Sequence, residues 1–223
     1  MKRLLFACIG IIALQGAAGQ SWDSTFRTTY YEQKVTLHRL LPDTKDEIIF
    51  LGNSITDIGE WTEIWQNKNV KNRGISGDIT FGVLARMDEV LSSRPAKVFI
   101  MIGVNDIARN IPDEVILSNY RRMIDRVQQE SPQTQLIMQS VLPTNDEFKP
   151  FKNHYGKDDR IRSVNAGLKA LCAEKGLVYV DLYPRFLSPD GRLDKQYTND
   201  GLHLTGAGYM LWKKILVEQK LMD

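Results

Sequence analysis

Two apolar patterns alternate along most of the chain. Short runs expected to be strands occupy residues 48–51, 70–75, 98–102, 135–142 and 177–182. Those at 48–51 and 98–102 are unbroken apolar stretches, the form a strand takes when both its faces are buried. Between them apolar residues recur at helical spacing. Trp61, Ile64 and Trp65 mark a short helix, and Phe81, Leu84, Met87 and Leu91 mark one over 79–91. Longer helices are expected at 113–129 and at 159–175, the latter stopped by Gly176. A last helix opens near Gly206 and carries Tyr209, Leu211, Trp212, Ile215, Leu216 and Leu221. Strands alternating with helices predict a parallel sheet covered on both faces. The expected fold is a flavodoxin-like, three-layer α/β/α sandwich whose five strands lie in the order 2-1-3-4-5. Sites in such sheets form beyond the carboxyl ends of the strands. That nominates the loops at 52–59, 74–79, 103–112, 143–158 and 183–205.

The N-terminal part differs. Lys2 and Arg3 precede an apolar run from Leu4 to Leu14, followed by small residues at 16–19. Residues 1–19 are expected to be a secretory signal peptide, too short to span a bilayer, which implies a secreted or periplasmic protein without stable membrane insertion. Cys8 offers a weaker lipoprotein reading, with too little apolar sequence before it. Residues 20–46 form a polar extension with a helix over 28–41, ended by Pro42, and residues 47–223 hold the alternating domain. The 223-residue chain carries 29 bases and 27 acids. Losing the leader removes two bases, so the remaining charge is balanced and implies no nucleic-acid partner. It also removes Cys8, leaving Cys172 alone in a helix, as a buried thiol with no disulfide partner.

Four of the five strand-end loops hold chemistry-bearing residues. Ser54 follows the first strand in Gly52-Asn53-Ser54, which reads either as a turn with a helix cap or as a nucleophile on a rigid mount. Of three histidines, His38 lies in the extension and His154 in the polar 143–158 loop. His203 follows Asp200 by three residues, across Gly201, so the carboxylate can reach the imidazole. Glycines 74 and 77 after the second strand, and Asn105 after the third, can present N–H donors to one point. Asp57, Ser76, Asp78, Asp106 and Asp181 are expected to cap helices or brace loops. No zinc-type spacing or phosphate loop is visible, so no metal or cofactor is expected.

Taken in order, four blocks resemble the SGNH/GDSL-type serine esterases: residues 50–57, 72–78, 103–106 and 200–204. The resemblance implies Ser54 as nucleophile, His203 as base and Asp200 as its orienting acid. It implies an oxyanion hole from Ser54, Gly77 and Asn105, with Gly74 the alternative to Gly77. This chain departs from the family in one place, with Asn53 where an aspartate is usual. The likeness is nearest to acetylhydrolases of the platelet-activating-factor type and to carbohydrate acetylesterases. The expected activity is hydrolysis of short O-acyl esters, acetyl first, on a small-molecule or glycan substrate. Lysophospholipase or thioesterase activity is the alternative, and a non-catalytic glycan-binding module a third. Trp61, His154, Tyr155 and Tyr197 are the expected substrate contacts, because aromatic and polar groups suit a sugar, although the i,i+4 spacing of Trp61 and Trp65 favours core packing for at least one of the two.

Overall fold

The computed structural model describes residues 22–222. The expected signal peptide and the Cys8 lipid site lie outside the described residues. Five strands form one sheet: β1 (Ile48–Gly52), β2 (Val70–Gly74), β3 (Lys97–Met101), β4 (Gln135–Gln139) and β5 (Val178–Val180). They are all parallel, in the order β2-β1-β3-β4-β5, as the alternating pattern predicts.

The nine α-helices among the described residues follow in chain order. They are α1 (Thr29–Leu40), α2 (Ser54–Asp57), α3 (Trp61–Trp65), α4 (Thr80–Ala85), α5 (Met87–Leu91), α6 (Val104–Ala108), α7 (Asp113–Glu130), α8 (Asp158–Lys175) and α9 (Gly206–Glu218). The central strand β1 is buried on both sides. Phe50 stacks on Phe99 of β3 and on Trp61 of α3, with centroids 4.9 and 4.0 Å apart. Trp212 of α9 closes that cluster edge-on at 4.8 Å from Trp61. Ile49 and Leu51 point to the opposite face and are equally buried. There α7 packs against α4, α5 and α8. An unbroken apolar strand is what this sandwiching requires.

The structure departs from the periodicity in three places. The helix expected over 79–91 breaks at Arg86, whose backbone leaves helical geometry (φ −120°, ψ 15°). Its guanidinium turns into the core toward Asp78 and the Gly52 carbonyl. The fourth strand stops at Gln139 because the Asn165 side chain takes over the hydrogen bonds of Val141, accepting from its N–H and donating to its C=O. The helix expected over 28–41 ends at Leu40, and its apolar residues are divided between two faces: Tyr31 and Val35 are buried, while Leu37 and Leu41 are exposed.

The segment preceding β1 is tied to the domain. The Tyr31 hydroxyl donates to the Gly82 carbonyl, Arg27 to that of Phe81, and Trp22 stacks on the Phe81 ring. His38 is buried in this packing, and burial foremost pushes its imidazole down to about 3. It is therefore a neutral packing residue. Cys172 is buried in α8, and burial raises its thiol to about 11, which leaves it unreactive.

Candidate active site

The carboxyl end of β1 is shaped by contact with its neighbours. A Cβ on Gly52 would lie 2.4 Å from the Met101 carbonyl of β3 and 2.3 Å from Thr56 Oγ1, so only glycine fits. Asn53 then caps α2, its Oδ1 accepting from the Ile55 N–H at 3.0 Å. A short polar acceptor at an N-cap is satisfied equally by Asn and Asp. Asn53 thus does locally what an aspartate would do there. The cap starts the helix at Ser54, and the serine is almost wholly buried.

Its Oγ lies 2.8 Å from His203 Nε2. His203 Nδ1 lies 2.7 Å from Asp200 Oδ2. Because the carboxylate accepts from Nδ1, Nε2 is left to accept the serine proton. The other carboxylate oxygen, Oδ1, accepts from the backbone N–H groups of Leu202 and His203, each at 2.8 Å. Burial pushes the Asp200 carboxyl up, but the hydrogen bonds from the His203 ring and from both N–H groups outweigh it. The net result lies below the usual carboxylate value. The loop closes on itself through Gly201 at φ +84°, and Thr198 Oγ1 accepts from the Gly201 N–H.

The candidate oxyanion donors follow β2 and β3. The Gly74 N–H is given to Asn72 Oδ1 at 2.8 Å, and a Cβ on Gly74 would lie 2.1 Å from the Asp57 nitrogen. Gly74 thus packs against α2, its N–H already occupied. Gly77, at φ +81°, sits in the following turn. Asn105, the second residue of α6, donates from Nδ2 to the Asp78 carbonyl at 2.8 Å. Asp78 and Arg86 form a fully buried ion pair at 3.0 Å, and Arg86 also donates to the Gly52 carbonyl at 3.2 Å. One guanidinium thereby joins the end of β1 to the turn holding Gly77. Burial pushes the Asp78 carboxyl up to about 6 despite Arg86. Burial likewise pushes Asp106 up to about 7, although Thr80 donates to it from both N–H and hydroxyl. Asp57 accepts from the Ser76 N–H and hydroxyl and pairs with Lys34. The expected bracing roles of Asp57, Asp78 and Asp106 are thus visible in their partners.

The expected substrate contacts fare differently. Trp61 is 1% exposed and lies in the aromatic core, its indole N–H donating to the Thr56 carbonyl. It cannot stack on a ligand; its spacing within α3 placed it on the inner face. The Tyr155 hydroxyl donates to the Asp200 carbonyl and accepts from the Phe151 N–H, and Tyr197 packs edge-on against Phe186. Both tyrosines support loops. His154 reaches the site, but its Nε2 lies 2.9 Å from Asn105 Oδ1. Phe151, absent from the expectations, packs edge-on against His203 at 4.9 Å. A phenylalanine in a polar loop was the one sequence signal for it. Arg86 had no signal: nothing in a helical pattern marks which arginine turns inward.

The chain is similar to known proteins over most of its length. Residues 50–211 match the model of the GDSL-like Lipase/Acylhydrolase family. The platelet-activating factor acetylhydrolase IB subunit alpha1 of Bos taurus is 28% identical over 182 residues, covering 77% of this chain and 75% of that protein. A structure from Streptococcus pneumonia described as a platelet activating factor superposes with a TM-score of 0.79 at 28% identity, over 85% of this chain and 92% of that one. A GDSL-like lipase from Bacteroides thetaiotaomicron gives 0.73 at 26% identity, over 86% and 96%. The matched span runs from β1 to α9 and includes every strand-end loop described above. This chain belongs to the GDSL-like lipase/acylhydrolase family, and its general chemistry is the hydrolysis of acyl esters.

Proposed function

We propose that Ser54, His203 and Asp200 act as a catalytic triad in a serine esterase. The observation that carries this reading is the unbroken chain Ser54 Oγ–His203 Nε2 and Nδ1–Asp200 Oδ2, at 2.8 and 2.7 Å. His203 takes the serine proton as Oγ attacks the ester carbonyl, and Asp200 stabilises the imidazolium that results. The N–H groups of Ser54 and Gly77 and the Asn105 amide hold the tetrahedral oxyanion, each worth ~3 kcal/mol of transition-state stabilisation. His203 then protonates the leaving alcohol, and water releases the acyl group by the same steps.

The acyl group is short, acetyl foremost. Support comes from the relatives named as acetylhydrolases. The alcohol side is a carbohydrate or similar polyol. Support comes from the 149–154 segment, which brings polar groups (Lys149, Lys152, Asn153) and the Phe151 ring beside the site, Phe151 packing on His203 and His154 meeting Asn105. After loss of residues 1–19 the protein acts outside the cytoplasm. Among the described residues no helix is long and apolar enough to cross a membrane.

A serine-directed fluorophosphonate followed by peptide mapping tests the nucleophile: the label belongs on Ser54, and labelling elsewhere refutes the assignment. Aryl esters from acetyl to long chain test the acyl side. Acetyl or propionyl esters are expected fastest, and a long-chain optimum would establish the lysophospholipase or thioesterase reading instead. Acetylated glycan against platelet-activating factor, at matched concentration, decides the alcohol.

A further inference from the structure

Within the proposed oxyanion hole, the orientation of one group matters more than its presence. A carboxamide is nearly symmetric in shape. Turned one way, Asn105 offers N–H to a developing oxyanion; turned the other, it offers a carbonyl oxygen that repels it. Two contacts of opposite polarity bear on that choice. The Asp78 carbonyl, an acceptor only, takes one N–H of Nδ2 at 2.8 Å. Oδ1 then faces His154 Nε2 at 2.9 Å. Since Oδ1 can only accept, Nε2 must carry the hydrogen, and His154 Nδ1 must be bare. Nδ1 is buried with no hydrogen-bond partner among the described residues.

We propose that His154 is a positioning residue of this site. Its neutral Nε2–H tautomer clamps Asn105 with the second amide N–H turned toward the substrate oxygen. The inference rests on the esterase reading above and deepens it.

The surroundings of His154 suit a clamp. Phe151 packs edge-on against its ring at 5.9 Å. Three residues along, Lys157 Nζ donates to the carbonyls of Ile107 and Ala108, at the C-terminal end of α6. The loop is thereby docked on the helix that carries Asn105. Burial first, then His203, Lys157 and Arg109, push the His154 imidazole down to about 4. The ring therefore stays neutral where His203 must gain a proton. A charged His154 beside it would oppose formation of that imidazolium. The same contact explains why His154 is a poor substrate ligand: its one donor is already committed to Asn105.

The test pairs kinetics with a spectrum. With an aryl acetate, His154→Ala should lower kcat about 10- to 50-fold, less than the ~100-fold or more of losing a donor outright, with KM within about threefold. His154→Gln keeps an amide donor near the Nε2 position and should recover to within about threefold of the parent. On an Asn105→Ala background, His154→Ala should add less than about twofold, because the clamp has nothing to hold. Nitrogen-15 spectra of the parent protein at pH 7 should show His154 protonated at Nε2 alone. Any of four results overturns the proposal: losses that multiply independently of Asn105, a loss confined to KM, glutamine no better than alanine, or a His154 protonated at Nδ1. Were the parent to lack esterase activity, the triad reading would fail by itself, while the tautomer spectrum would still decide whether His154 can hold Asn105.

Discussion

The two halves of the site are held in different ways. Ser54, Gly77 and Asn105 sit within a few residues of the ends of β1, β2 and β3, three adjacent strands of which β1 and β3 are interior and β2 is an edge. They are locked from beneath by the buried Asp78–Arg86 pair and by Asp106. Asp200 and His203 stand about twenty residues after β5, the short edge strand. They take their position from another loop rather than from the sheet. Asn145 N–H donates to the Gly201 carbonyl, Tyr155 to that of Asp200, and Phe151 packs on His203. The first half inherits the stiffness of the core. The second depends on one surface loop docking on another. Local stability differs accordingly: buried, cross-strand anchors open only with global unfolding, whereas loop–loop contacts can open alone.

Four measurements break or sharpen this contrast. The largest effect tests whether the halves act together. Ser54→Ala or His203→Ala should each lower kcat ~10⁶-fold with the circular dichroism spectrum unchanged, and Asp200→Asn ~10⁴-fold, since it orients rather than moves the proton. Retained activity in all three would end the triad assignment.

Next comes the anchor of the donor half. Arg86→Met leaves the Asp78 carboxylate buried without its partner, and urea unfolding should show a loss of ~3–5 kcal/mol. A change below about 1 kcal/mol would mean that the pair is not what holds this half.

The acid–base half should respond in activity before stability. Gly201 has φ +84°, and a Cβ there would lie 2.4 Å from the Asn145 carbonyl. Gly201→Ala must push the two loops apart and misplace His203, lowering kcat by up to ~100-fold. Its unfolding midpoint should move less than that of Arg86→Met. The reverse ranking would show that both halves are parts of one rigid unit.

The smallest effect is a pH dependence of stability. Asp106 keeps its proton in the folded state up to about 7, against 3.8 for the free carboxyl. Across that window folding takes up a proton, so the stability contributed is full below about 4 and is lost as pH rises through 7. Asp78, raised to about 6, acts in the same direction. Chemical denaturation from pH 4 to 8 should show the decline, and Asp106→Asn should flatten it. An unchanged slope would place the titration elsewhere.

How far the sequence alone could be read follows from the range of the forces involved. The parallel sheet was legible because strands alternate with helices and burial on both faces writes itself as an unbroken apolar run at 48–51 and 98–102; the strand order and the loops that carry chemistry followed from the doubly wound fold that five such strands fit. Ser54, Asp200 and His203 were legible as candidates because reactive residue types are few: three histidines, one of them three residues after an aspartate and across a glycine. Trp61 was misjudged because helical spacing shows that a face exists but not which way it points. The break at Arg86 was missed because its cause is a contact with Gly52, 34 residues earlier.

Local pattern, then, determined the elements, their alternation and the inventory of reactive groups, since each depends on neighbours within a turn or a strand. Tertiary structure alone decided which way the Asn105 amide turns, between Asp78 and His154, and which arginine, Arg86, enters the core. Those choices depend on hydrogen bonds between loops up to 49 residues apart, and pairing at that distance leaves no periodic trace in the chain.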